Sequence, residues 1–202
     1  GRDSDGLADM GKDLQDRARA AMFSLGATYP ELSGYYPQPK GLLFPAFLSV
    51  QNLSGIYSPF TIEANYNSAM VSYNLPFTIC HELSHLRGFM QEKEANFIGF
   101  LACVNADDTA FNYSGYLLGW IYATNELYEV DYDTFEEIYN RLSDNVKADL
   151  SANSSFWKRY DSKVAEVSGQ INDHYLKANG QSDGIKSYDR MVDLMITWFR
   201  SK

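Results

Sequence analysis

The sequence predicts a single α+β domain, mostly helical with a small β-sheet. Three observations carry this: apolar residues recur at helical spacing over most of the chain, one segment alternates apolar and polar side chains instead, and the chain is long and apolar enough to close one core. At 202 residues, with 45% hydrophobic and 15% aromatic content, it is unlike a disordered chain and suits one sizeable interior. No repeat, low-complexity tract or composition break marks a second domain. Residues 1–202 therefore read as one unit, with an N-terminal helix and linker over 1–38 and a core over 39–202.

Taken in order, Leu7 to Leu25 reads as a charged amphipathic helix, and Tyr29 to Lys40, with three prolines, as a loop or linker. Gly41 to Leu53 is apolar without a clear period, and helix and strand both remain open there. From Ile56 to Asn67, Phe60, Ile62, Ala64 and Tyr66 alternate with Thr61, Glu63, Asn65 and Asn67, the best strand pattern in the chain. A buried helix follows through Phe77, Ile79, Leu83 and Leu86, stopped by Gly88 as its C′ residue. After a turn at Phe89 and Met90, a second helix runs from about Gln91 to Val104. Tyr113 to Val130, Tyr132 to Leu142, Val146 to Tyr175 and Lys186 to Ser201 read as mainly helical.

The net charge of −9, with no Lys/Arg cluster, argues against nucleic acid and against adhesion to anionic lipid. No run approaches the roughly 18 apolar residues of a membrane span. Gly1 followed by polar residues reads as a trimmed start and not as a signal peptide. Cys80 and Cys103 lie in apolar helical contexts and read as free buried thiols, although a bridge between them stays open.

The chemistry concentrates in CHELSHLRGFMQEKEAN. His81, Glu82 and His85 form HExxH, and four residues advance an α-helix by about 400°, so the two imidazoles stack on one face and can serve one ion. Glu82 lies about 100° round the helix, beside the metal and not on it, where a general base for a water nucleophile belongs. Catalytic zinc uses about three protein ligands, so a third is needed. Glu92 and Glu94 both stand near the start of the second helix, about 200° apart. The face of Glu92 continues through the small residues Ala95, Gly99 and Cys103, which let a neighbouring helix approach, whereas that of Glu94 continues through Phe97, Ile98 and Leu101. This selects Glu92. Asn96, one turn on, can hold the second nitrogen of a ligating histidine.

HExxH followed by ExxAN resembles the gluzincin side of the zincin metallopeptidases, including the HtpX-like membrane proteases and the ImmA/IrrE-type proteases. The chain is also similar, from about Pro39 onward, to a bacterial family catalogued as domain of unknown function 3810, on His81 to Asn96 and on Tyr175 to Asp193. The first resemblance implies a zincin-like fold, zinc as cofactor, Glu92 as third ligand and a peptide or protein substrate. The second implies upstream membrane spans, so that the domain would be anchored at a bacterial membrane and face outside the cytoplasm, with Leu7 to Leu25 near the tether. Zincin sites keep a strand beside the motif helix for β-addition of substrate, which makes Glu63 and Asn65 of the alternating segment candidates for the cleft lining. Tyr188 and Arg190, after the glycine-containing segment Asn179 to Gly184, are candidates to stabilise the oxyanion of the transition state. The function expected is zinc-dependent peptide hydrolysis with Glu82 as general base. The alternative is an inactive zinc-binding domain that recognises peptide or cell-envelope ligands.

Overall fold

The computed structural model describes residues 1–178 and 190–202. Its elements follow in chain order. Helix α1 (Leu14–Thr28) and a single 3-10 turn (Pro30–Leu32) lead to strand β1 (Lys40–Gly41), helix α2 (Ala46–Val50) and strands β2 (Gly55–Ser58) and β3 (Glu63–Tyr66). The remaining elements among the described residues are helices: α3 (Asn74–His85), α4 (Glu92–Val104), α5 (Thr109–Val130), α6 (Tyr132–Asn140), α7 (Asp144–Lys158), α8 (Lys163–Ala178) and α9 (Met191–Arg200). The small sheet has the order β1-β3-β2, with β3 parallel to β1 and antiparallel to β2. The architecture is therefore the mostly helical α+β arrangement that the patterning predicts. Among the described residues, no helix is long and apolar enough to cross a membrane.

Helix α3 is the centre of the fold. All twelve of its residues are buried, because α1, α4, α5 and the sheet pack around it. Pro76 is tolerated because it falls in the first turn, where an amide hydrogen has no intrahelical partner. The neighbouring amide of Phe77 is satisfied by the Ser114 hydroxyl of α5, at 3.2 Å. Helix α4 comes close to α3 over Gly99: a Cβ there would lie 3.2 Å from the Phe77 carbonyl oxygen and 3.3 Å from the His81 amide nitrogen. The small face that nominated Glu92 is thus the face packed on α3, with Ala95, Asn96 and Cys103 buried along it. At the start of α5, Asp108 accepts hydrogen bonds from the amides of Ala110 and Phe111, and it pairs with Arg17 of α1, whose Nε and Nη2 each donate to one carboxylate oxygen at 2.7 Å.

Several boundaries differ from the expectations. The alternating segment Ile56 to Asn67 is not one strand but a hairpin, reversed at Pro59–Ile62, with Ser58 opposite Glu63 and Gly55 opposite Tyr66. Ile62 makes the reversal at φ +57°, a conformation that a β-branched residue adopts at a cost, and the turn signal that the segment does carry is the dipeptide Ser58–Pro59 ahead of it. Tyr29 to Lys40 is no free linker, since Leu32 and Tyr36 are buried in the main core with Ala18, Met22 and Leu25 of α1. Helix α1 starts at Leu14 and not at Leu7. The residues before it are held by Asp149 of α7, fully buried, which accepts from Arg2 and from the Ala8 amide at 2.8 Å and from the Tyr113 hydroxyl. The predicted helix Val146 to Tyr175 breaks between α7 and α8, where Ser162 accepts from the Ala165 amide. The ambiguous segment Gly41 to Leu53 resolves into the end of β1 and helix α2.

Candidate metal centre

Residues four apart on a helix lie one above the other, and α3 therefore shows two rows to a cleft of about 750 Å³. Phe77, His81 and His85 form one row, and Asn74, Thr78 and Glu82 the other; all six line the cleft. The chain then reverses between His85 and Glu92. Gly88 makes this possible at φ +88°, a left-handed conformation open to glycine without strain, and its amide donates to the His85 carbonyl at 3.0 Å. Glu92, the first residue of α4, returns to face the two histidines.

Three side chains converge there. His81 Nε2 lies 3.2 Å from His85 Nε2 and 3.2 Å from Glu92 Oε2, and His85 Nε2 lies 3.9 Å from Glu92 Oε1. Ligands about 2.0–2.1 Å from a tetrahedral zinc stand about 3.3 Å from one another, so the two shorter separations match those of a shared ion. The group His81, His85 and Glu92 could hold a metal ion, its ligand atoms lying within 4.8 Å of one another. Glu94 is not in it.

The tautomer of His85 is fixed by its other nitrogen. Nδ1 sits 2.7 Å from the Phe89 carbonyl oxygen, which can only accept, so Nδ1 carries the hydrogen and Nε2 presents a lone pair towards His81 and Glu92. Burial and the neighbouring His81 charge push its pKa down to about 4, which leaves the ring neutral near pH 7. His81 goes the other way. Burial opposes its charged form, but the hydrogen bond and charge of Glu92, the charge of Glu82 and the Asn96 side chain outweigh it and hold its pKa above the ordinary imidazole value. Glu92 is the reciprocal case, its pKa lowered because hydrogen bonding and attraction to His81 overcome burial. The two shifts have one cause, the mutual stabilisation of a protonated His81 and an ionised Glu92 held 3.2 Å apart. The His81 Nδ1 makes no well-formed hydrogen bond, and the buried Asn96 amide is the side chain one turn along α4 that acts on this ring.

Glu82 stands beside this group. Its Oε1 is 4.0 Å from His81 Nε2, and it is 5% exposed. Burial drives its pKa up to about 8, His81 opposing the shift and Glu92 reinforcing it. The backbone of β2 covers it: a Cβ on Gly55 would fall 2.3 Å from Glu82 Oε1, so a glycine is what allows the strand to lie against this carboxyl group. Strand β2 is an edge strand, and Gly55, Ile56 and Tyr57 border the cleft.

The other candidates from the sequence are placed differently. Glu63 and Asn65 are on β3, the central strand, and are not among the cleft residues, because the hairpin puts β2 between them and the open edge. Glu63 pairs with Lys40, and Asn65 is buried with its amide 3.5 Å from the Ile56 carbonyl. Arg190 is exposed just ahead of α9 and is not among the cleft residues, and Tyr188 lies outside the described residues. Two phenols line the cleft in the described structure, Tyr57 and Tyr122, and Tyr57 stands beside the ligands, its ring centroid 5.9 Å from that of His85. A hydroxyl-bearing residue on the strand just upstream of HExxH was the available signal, but reading Ile56 to Asn67 as one strand hid which part of it borders the site. Cys80 and Cys103 are free and fully buried, and burial together with the Cys80 thiol pushes the Cys103 thiol well up, away from any nucleophilic role.

The sequence pattern of one family matches residues 2–196, a stretch that includes the N-terminal segment and both site helices. The chain belongs to the family described as Protein of unknown function (DUF3810). The similarity thus begins well before Pro39, in keeping with the way α1 and the residues ahead of it pack into the DUF3810 core. No curated protein and no solved structure matches the chain.

Proposed function

We propose that this DUF3810 domain is a zinc-dependent peptidase of zincin type, with His81, His85 and Glu92 as metal ligands and Glu82 as general base. The observation that carries the reading is the convergence of two imidazole nitrogens and one carboxylate at the floor of a cleft, with a buried second carboxyl group beside them. Two imidazoles and one carboxylate suit zinc, and three protein ligands leave the coordination open, as catalytic zinc requires and structural zinc does not. When bound, zinc supplies Lewis acidity: it lowers the pKa of a water to about 7, polarises a peptide carbonyl and favours ionised Glu82.

The protein groups do the rest. Glu82 takes the proton of the attacking water as the water oxygen bonds to the carbonyl carbon, and delivers it to the amide nitrogen as the C–N bond breaks, releasing acid and amine. Asn96 restrains the His81 ring and the Phe89 carbonyl that of His85, so both keep Nε2 turned to the centre. The outer edge of β2, unpaired among the described residues, offers backbone groups to an extended peptide, and Tyr57 is a candidate donor to the developing oxyanion. Digestion of a broad peptide library by the zinc-loaded chain, with Glu82→Gln as control, tests the reading; a zinc-loaded wild type that cleaves nothing refutes it. On family resemblance alone, we also place the domain outside the cytoplasm, tethered at a bacterial membrane. Recovery of the intact full-length protein wholly in the cytosol would refute that placement.

A further inference from the structure

The cleft continues beyond the metal centre. Phe77 stands one turn before His81, about 6 Å along the helix axis, which is within reach of one side chain of a residue bound at the centre. Around it lies a recess walled by Leu118 and Tyr122 of α5 and Trp157 of α7, the rings of Phe77 and Tyr122 standing 6.1 Å apart and tilted by 30°. Helix α8 closes the far side with Ala165, Ser168 and Gly169. These three are half-buried while Val164, Glu166 and Val167 beside them are exposed, so the face that α8 turns to the cleft carries only a methyl group, a hydroxymethyl group and a glycine, and among the described residues no large side chain of α8 enters the recess. Apart from the four groups of the centre, every described side chain that lines the cleft is uncharged, although the chain carries a net charge of −9.

We propose that this recess receives a large apolar side chain, aromatic by preference, from the substrate residue next to the cleaved bond. The proposal rests on the peptidase reading for its substrate class. Its physical basis is separate from that reading, because burying an aromatic ring against Phe77, Leu118, Tyr122 and Trp157 needs no metal.

The test therefore has a metal-free arm. The metal-free chain is titrated with N-acetyl-phenylalanine amide and with N-acetyl-glycine amide, and the indole N–H resonance of Trp157, assigned through Trp157→Phe, is followed by NMR. The phenylalanine derivative shifts this resonance, the glycine derivative does not, and Ala165→Phe, which fills the recess, suppresses the shift; Ser168→Phe is a second filler should the first fail to fold. In the second arm, zinc-loaded protein cleaves peptides with phenylalanine beside the cleaved bond about 10- to 100-fold faster, in kcat/KM, than their glycine counterparts, and the filled variant loses that ratio. A Trp157 resonance that ignores the phenylalanine derivative, or answers both derivatives alike, overturns the proposal whatever the activity. A selective response without any peptide cleavage supports the recess and defeats the peptidase reading instead.

Discussion

Replacing Gly55 by alanine isolates the placement of Glu82 from everything else in the centre. Gly55 is not among the glycines with positive φ, so alanine meets no backbone strain in β2. The added methyl group, however, would lie 2.3 Å from Glu82 Oε1 and 2.8 Å from its Cδ and Cγ. Unstrained contacts of this kind need about 3.4 Å or more, so the carboxyl group must withdraw by about 1 Å. A displacement of about 1 Å in a group that must meet a water and then an amide nitrogen costs about 100-fold in rate, equivalent to about 2.7 kcal/mol of barrier. The ligands are on the other row of α3 and on α4, so zinc content is unchanged. The assay is kcat/KM on a fluorogenic peptide chosen from the library digest, with zinc per chain and thermal unfolding measured on the same samples. Wild-type kcat/KM in Gly55→Ala would refute the reasoning, and loss of zinc in parallel with rate would show that the strand supports the ligands and not the base.

The remaining predictions follow from the same geometry. Glu82→Gln keeps the fold and about one zinc per chain while hydrolysis falls by about 10²–10⁴-fold, because an amide cannot take a proton; full activity in this variant would remove Glu82 from the mechanism. Glu92→Gln weakens zinc binding and activity together, whereas Glu94→Gln leaves both near wild type, as metal titration of the two variants will show. In the Glu82→Gln variant, which removes the titration of the Glu82 carboxyl group, zinc affinity measured by calorimetry falls as pH drops through about 6 to 5, by about one decade per unit: His81, whose pKa is raised, must lose a proton before it can bind the ion, while His85 stays neutral until about pH 4. A slope near two would mean that both histidines are protonated in the metal-free chain.

What the sequence made legible was whatever depends on helical period. The spacing of His81 and His85, the small face of α4 that selects Glu92 over Glu94, and Gly88 as a left-handed stop are all local rules, and the structure brings these residues to one place. The misreadings lie where tertiary contacts override local pattern. Phe60, 97% exposed, and Ile62 at positive φ continue the alternation of a strand past the Ser58–Pro59 turn signal, so the pattern predicts one strand where a hairpin exists, and Glu63 and Asn65 fall on its inner strand. The contact of Gly55 with Glu82 joins residues 27 positions apart and has no local signature. Neither has the recess, whose walls come from four helices.

The central claim is that His81, His85 and Glu92 hold one zinc ion, and anomalous diffraction at the zinc edge from crystals of the zinc-loaded chain tests it most directly. The account predicts a single strong peak about 2.0–2.2 Å from His81 Nε2, His85 Nε2 and a Glu92 carboxylate oxygen, with Glu82 outside ligand distance. A peak elsewhere, or zinc at this place held by Glu82 or Glu94 in place of Glu92, would contradict it.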